Sequence, residues 1–203
     1  MRKIMRLDKA KIRKEIREWV IFFVMIAILY FLGLYTEIAG GLQRLALATG
    51  FRNASVETND FGNADFAFAL QPLDSIKRIV LFEELKGKVI FLNFWATWCP
   101  PCIAEMPSIQ ALYDKIDKKN VVFVMIATND EQGKVQKFIK RKEYDFPIYF
   151  LKDDFLPTIF HSKAIPTTFI IDTNGKIVYK HEGTANYDTE AFKDLLENLG
   201  KVK

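Results

Sequence analysis

The sequence predicts an α/β protein built on a mixed central sheet flanked by helices, carried behind one apolar N-terminal segment. Three observations point there. Residues 89–94 (VIFLNF) and 121–128 (VVFVMIAT) are near-continuous apolar runs of strand length, as in strands covered on both faces. A segment suited to a helix follows each of them. Further on, Asn174-Gly175 separates two short strand-like stretches and signals a tight hairpin. Strands alternating with helices, then a closing hairpin and helix, require a mixed sheet.

The 203 residues are half hydrophobic, enough for one domain with a real core plus an appended segment. Residues 19–36 carry no charge and are mostly apolar. At ~1.5 Å per residue such a helix spans about 26 Å, the short end of what a bilayer requires. Trp19 and Tyr35 stand near its two ends, where interfacial aromatics belong. Before Trp19, eight Lys and Arg face three acids. The positive-inside rule therefore makes residues 1–18 a basic cytoplasmic tail, residues 19–36 a transmembrane anchor, and everything after Thr36 exported. A cleaved signal peptide is the competing reading. It wants a shorter apolar run and a nearby small-residue site, and Ala46-Leu47-Ala48 lies far downstream. The net charge of +4 belongs to the tail. Without a basic face the rest gives no electrostatic case for nucleic acid.

Residues 37–62 mix a short apolar patch with Gly, Asn, Ser and Thr and read as a juxtamembrane linker, with a short helix at 42–48. Residues 63–203 form the folded domain. Phe66, Phe68 and Leu70 alternate as in a half-buried strand, and residues 78–81 supply its hairpin partner. A helical turn is expected at 82–85. Buried strands follow at 89–94 and 121–128, helices at 99–118 and 131–142, and short strands at 148–151 and 167–171. The Asn174-Gly175 turn leads into a strand at 176–181. Asp188 or Thr189 starts a last helix that Gly200 closes.

Cysteine occurs twice, at Cys99 and Cys102. A structural zinc site takes four Cys or His ligands in paired spacings. His161 and His181 form no such pair, so no metal site is expected. Strand 89–94 runs through Ala96-Thr97-Trp98 into the cysteines, where a helix begins. A helix start offers free N–H groups and about half a positive charge, and both favour a thiolate. In such Cys-x-x-Cys settings thiol pKa values fall to about 3.5–7.5. Cys99, at the very start, is the expected exposed nucleophile, and Cys102, one turn inward, the shielded resolving thiol. Pro100 and Pro101 lack N–H groups and suit the first turn. The chemistry is thiol–disulfide exchange: Cys99 attacks a partner disulfide and Cys102 resolves the mixed disulfide.

Three other readings compete. A structural staple over about four residues gives only roughly 2 kcal/mol, against ~3 for fifteen, so a staple would close a longer loop. A copper or thiol-ligand metallochaperone is the second, although such carriers usually separate their cysteines by three residues. A peroxiredoxin-like peroxidase is the third, but Thr97 sits too close to Cys99 for a Thr-x-x-Cys setting.

The run Asn93-Phe94-Trp95-Ala96-Thr97-Trp98-Cys99-Pro100-Pro101-Cys102 is followed by Glu105, Pro107 and, far downstream, Ile165-Pro166-Thr167-Thr168-Phe169. Together these resemble the thioredoxin superfamily, and more closely its exported, membrane-tethered TlpA/ResA branch. The resemblance covers residues 63–200. It implies a thioredoxin-like fold with an N-terminal β-hairpin and a helix–strand insertion at 131–151. It implies that Pro166 is a cis-proline facing the disulfide, and that Trp98, Pro100, Pro101, Ile165 and Pro166 meet the partner chain. Glu105 matches an acid that tunes the thiols, and Pro107 the proline that kinks the active-site helix. Asn93 stands where cytoplasmic thioredoxins carry a buried aspartate, which leaves Glu105 as the candidate proton acceptor. Trp95 and Trp98 match aromatics that shield the site. The resemblance further implies a protein-disulfide reductase at the outer face of a bacterial cytoplasmic membrane, with no cofactor beyond the Cys99–Cys102 disulfide. Its partners would be exported proteins with disulfides, apocytochrome c among them, and a membrane thiol-electron transporter that supplies electrons.

Overall fold

The computed structural model describes residues 9–31, 40–41, 43, 47, 53–74 and 78–201. Its strands are β1 (Ala69–Pro72), β2 (Val80–Leu81), β3 (Val89–Trp95), β4 (Val121–Ala127), β5 (Ile148–Leu151), β6 (Thr167–Ile171) and β7 (Ile177–Glu182). Its longer helices are α1 (Lys9–Phe31), α2 (Pro100–Lys115), α3 (Gln132–Lys142) and α4 (Glu190–Lys201). The strands make one sheet in the order β2-β1-β5-β4-β3-β6-β7.

The two apolar runs lie side by side at its centre. β3 and β4 pair in parallel from Val89↔Val121 to Trp95↔Ala127, and every β3 residue is buried. β5 joins β4 in parallel, while β6 pairs with β3, and β7 with β6, in antiparallel. The crossovers β3–α2–β4 and β4–α3–β5 step across the sheet in one direction. Parallel crossovers are right-handed as a rule, so both helices land on one face. The core on that face joins Phe91 and Trp95 to Met106 and Ile109 of α2, Phe138 of α3 and Phe192 of α4. Among the described residues, the opposite face is packed by strand-flanking loops and short turns and not by the α-helices of the first core. There Ile90, Leu92 and Phe94 meet Phe68, Phe82, Phe160 and Phe169. Phe82 and Phe160 sit in the short 3-10 turns Phe82–Leu85 and Thr158–Phe160.

Phe91 is fully buried, with its ring 4.7 Å from Phe123 and 5.2 Å from Tyr187. Phe91→Ala is expected to destabilise the oxidised protein by ~3–5 kcal/mol. A lower urea midpoint with an unchanged slope would bear this out; an unmoved midpoint would contradict it.

Several elements differ in detail from their sequence reading. The first hairpin forms, with Ala69↔Leu81 paired, but β1 begins at Ala69 because Phe68 N donates to Phe66 O and bends the chain. α2 stops at Lys115, since Ile116 turns extended and is buried. Thr189 does cap α4, its Oγ1 accepting from Phe192 N at 3.2 Å. Gly200 does not close that helix, which continues to Lys201. A Cβ on Gly200 would lie 3.1 Å from Asn120 Cβ, so the glycine serves close packing. The Asn174-Gly175 turn stands as read: Asp172 Oδ1 accepts from Asn174 N and Lys176 N, and Gly175 takes φ +82°.

Residues 53–62, read as the end of a linker, run along the outer edge of β7. Asn59 N and Phe61 N donate to Val178 O and Ile177 O, and Ile177 N donates back to Gly62 O. A sheet edge is thereby covered. At the N-terminus, α1 extends from the basic tail into the apolar run, and its side chains from 13 to 28 are exposed. Among the described residues no helix is long and apolar enough to cross a membrane. The expected span at 19–36 continues into residues 32–36, which lie outside those described.

Candidate active site

Where β3 ends, the chain is pinned before it enters α2. Thr97 N donates to the Asp130 carboxylate at 2.6 Å, and the Trp98 indole N–H to Asn129 O at 3.0 Å. Both acceptors follow β4. Cys99 then becomes the N-cap of α2, and its Sγ accepts from Cys102 N at 3.3 Å. This sulfur therefore meets one of the free amides that a helix start leaves over, that of Cys102. Pro100 and Pro101 fill the first two helical positions, where no N–H is missed.

The two sulfurs are joined as a disulfide, with Cα atoms 5.3 Å apart. Cys102 is fully buried, as expected. Cys99 is only 4% exposed, which corrects the expectation of a nucleophile open to solvent. In the oxidised state it is bonded to Cys102, and Ile165 O lies 3.8 Å from its Sγ. The Ile165-Pro166 peptide is cis. The loop after β7 ties the two sides together: Gly183 N donates to Pro166 O at 2.8 Å and Thr184 Oγ1 to Pro101 O at 3.3 Å. Beside Ile165 opens a groove of about 610 Å³, floored by Phe94, Leu156 and Phe160 and flanked by half-exposed Trp98. Trp95 is different: it is wholly buried beneath α3.

Glu105 lies one helical turn past Cys102, a spacing that puts both on one helix face. It is fully buried. Asn93 Nδ2 donates to its Oε1 at 2.9 Å and Ala185 N to its Oε2 at 3.3 Å. Burial pushes the carboxyl up to about 8, and these two donors offset part of that rise. Asn93 Nδ2 also donates to Thr168 Oγ1 at 2.9 Å, which accepts from Tyr187 OH at 2.8 Å. Pro107 sits inside α2, as expected. The next residue, Ser108, donates its hydroxyl to Glu105 O and accepts from Tyr187 N. Among the described residues no three His, Cys, Asp or Glu side chains converge as a metal cage would need.

The fold thus gathers Trp98, Cys99, Pro100, Cys102, Glu105, Ile165 and Pro166 around one spot. Pro101 contributes its carbonyl to the loop that carries Ala185. Sequence reasoning gave no role to Tyr187, Asp130 or Ala185. Each is an ordinary residue in its own stretch and acquires meaning through contacts 19 to 80 positions away.

These are the chain's only two cysteines, joined at the start of α2 next to Trp98 and Ile165, which line the groove. The class follows from this placement: a thioredoxin-fold protein-disulfide oxidoreductase. The comparisons with known proteins agree. The Redoxin family model matches residues 65–197, and the chain belongs to that family, as a TlpA/ResA-like member of the thioredoxin superfamily. The thiol-disulfide oxidoreductase ResA of Halalkalibacterium halodurans is 34% identical over 131 residues, covering 64% of this chain and 73% of that one. ResA of Bacillus cereus is 38% identical over 104 residues, or 51% of this chain and 60% of that one. Among solved structures, a DsbE-type thiol:disulfide interchange protein of Chlorobium tepidum superposes with a TM-score of 0.58 at 28% identity, covering 68% and 98% of the two chains. StoA of Bacillus subtilis gives 0.52 at 28% identity, covering 63% and 94%.

Proposed function

We propose that this protein reduces disulfides of exported partner proteins at the outer face of a bacterial cytoplasmic membrane, cycling Cys99 and Cys102 between dithiol and disulfide. The observation that carries the reading is Cys99 at the start of α2, its Sγ 3.8 Å from the carbonyl of Ile165, which lines the groove and precedes the cis-proline. Trp98, Pro100, Pro101, Ile165 and Pro166 would meet the partner chain. In the reduced protein the Cys99 thiolate attacks one sulfur of the partner's disulfide. That bond breaks, and the departing partner thiolate takes up a proton. Glu105 accepts the proton of Cys102, whose thiolate attacks Cys99 Sγ; the bond from Cys99 to the partner breaks, and the second partner sulfur leaves with the proton that Glu105 gives up. The partner ends as a dithiol and this protein as the disulfide. Two electrons and one proton must then return to restore the Cys99 thiolate and the Cys102 thiol before another cycle. Because the exported side is oxidising, we assign their supply to a membrane thiol-electron transporter. Apocytochrome c, whose thiols must be reduced before haem attachment, is one fitting substrate.

Two features support the anchor. Ten large apolar side chains of α1 from Ile16 to Ile28 are exposed, and Lys9, Lys11, Arg13, Lys14 and Arg17 precede or punctuate that surface. Equilibration with thiol redox buffers tests the direction. A reduction potential near that of thioredoxin, about −270 mV, is expected; one near the oxidising end, about −120 mV, would overturn net reduction.

A further inference from the structure

Glu105 is held by a side chain that is itself held. Asn93 on β3 and Thr168 on β6 are direct cross-strand partners. Asn93 spends both amide hydrogens at once, one on Glu105 Oε1 and one on Thr168 Oγ1, each at 2.9 Å. Thr168 Oγ1 is fixed in turn by Tyr187 OH at 2.8 Å. All four side chains are buried to 1% exposure or less. An Asn, a Thr and a Tyr could have been replaced by apolar residues in so dry a core, since buried polar groups are costly unless they are bonded. Here they form one chain, Tyr187 and Asn93 both donating to Thr168 Oγ1 and Asn93 also to the carboxyl oxygen.

We propose that Asn93, locked by Thr168 and Tyr187, is the positioning residue that holds the Glu105 carboxyl in place, one helical turn past Cys102, and able to ionise. The proposal rests on the oxidoreductase reading and deepens it. When Glu105 takes the Cys102 proton it passes from carboxylate to acid. In the carboxylate state Asn93 Nδ2 stabilises the charge. Asn93 Oδ1 is buried without a donor among the described residues, so the amide acts on Glu105 through its Nδ2 alone, and its support goes to the carboxylate. The titratable groups facing Glu105 are the cysteine pair on its own helix, Tyr179 on β7 and Tyr187 after it. Burial holds both phenols neutral, Tyr179 pushed up to about 12 and Tyr187 well above its usual value.

The test is the pH profile of the reduced protein. Asn93→Leu, Thr168→Val and Tyr187→Phe are prepared in the full chain. Glu105 is followed by carboxyl-carbon NMR, with Glu105→Gln identifying its signal, and the cysteines by alkylation rate against pH. Removing the amide donor withdraws support from the carboxylate, so in Asn93→Leu the Glu105 titration should move up by about one pH unit. Thr168→Val and Tyr187→Phe, which keep that donor but free its lock, should move it in the same direction by less. The alkylation profile should shift with it. Should Asn93→Leu fail to fold, Thr168→Val carries the test. Lowered thermal midpoints with profiles that superimpose on the parent would make these residues mere packing and overturn the inference. The oxidoreductase reading would survive that result, because it stands or falls on whether the unmodified protein exchanges disulfides at all.

Discussion

Glu105→Gln is expected to make the oxidised protein markedly more stable in alkaline solution while changing little in acid. Burial raises this carboxyl from 4.5 to about 8, so the folded state prefers it neutral. Below the unfolded value the group is protonated in both states and costs nothing. Between the two values the unfolded chain ionises while the folded protein holds its proton, and stability falls with each pH unit. Above the folded value the loss is complete, and the full span corresponds to roughly 5 kcal/mol. Glutamine is neutral throughout and can still accept from Asn93. Urea denaturation at about pH 4 should give similar midpoints, and at about pH 9 a higher midpoint for the variant. Equal midpoints in alkali would refute a carboxyl kept neutral by burial.

Cys99→Ser should abolish disulfide exchange, lowering its rate at least about a thousandfold, as loss of an activated nucleophile does. Cys102→Ser should behave differently. Cys99 is the outer sulfur, 4% exposed where Cys102 is fully buried, and it accepts from the Cys102 amide, so its attack on a partner survives. The mixed disulfide then persists, because the buried residue that would resolve it has become a hydroxyl. Incubation of each variant with a disulfide-bonded protein, followed by non-reducing electrophoresis, separates the cases. A covalent adduct with Cys102→Ser and none with Cys99→Ser is the expected pattern. The reverse pattern would exchange the two roles.

Much of this could be read from local sequence. The apolar runs became the two central strands because strands buried on both faces leave no room for polar alternation. The turn at Asn174-Gly175 formed because glycine accepts its positive φ. Boundaries were less legible. Ile116 left its helix and Gly200 stayed inside one for tertiary reasons, the first to bury a side chain and the second to let Asn120 approach. Coverage of the sheet was also hidden. Nothing in a helical pattern states that two crossovers run the same way and leave the other face to phenylalanines.

By itself, then, the sequence determined the strand–helix junction, the sulfur pair upon it and the chemistry such a pair performs, since all three depend on residues within a few positions of one another. The tertiary structure decided how far Cys99 is covered and what stands behind it. Asn93 meets Thr168 across 75 positions only because β3 and β6 pair in one register. A slip of one residue would turn each side chain to the opposite face, and Glu105 would then be buried without its partner.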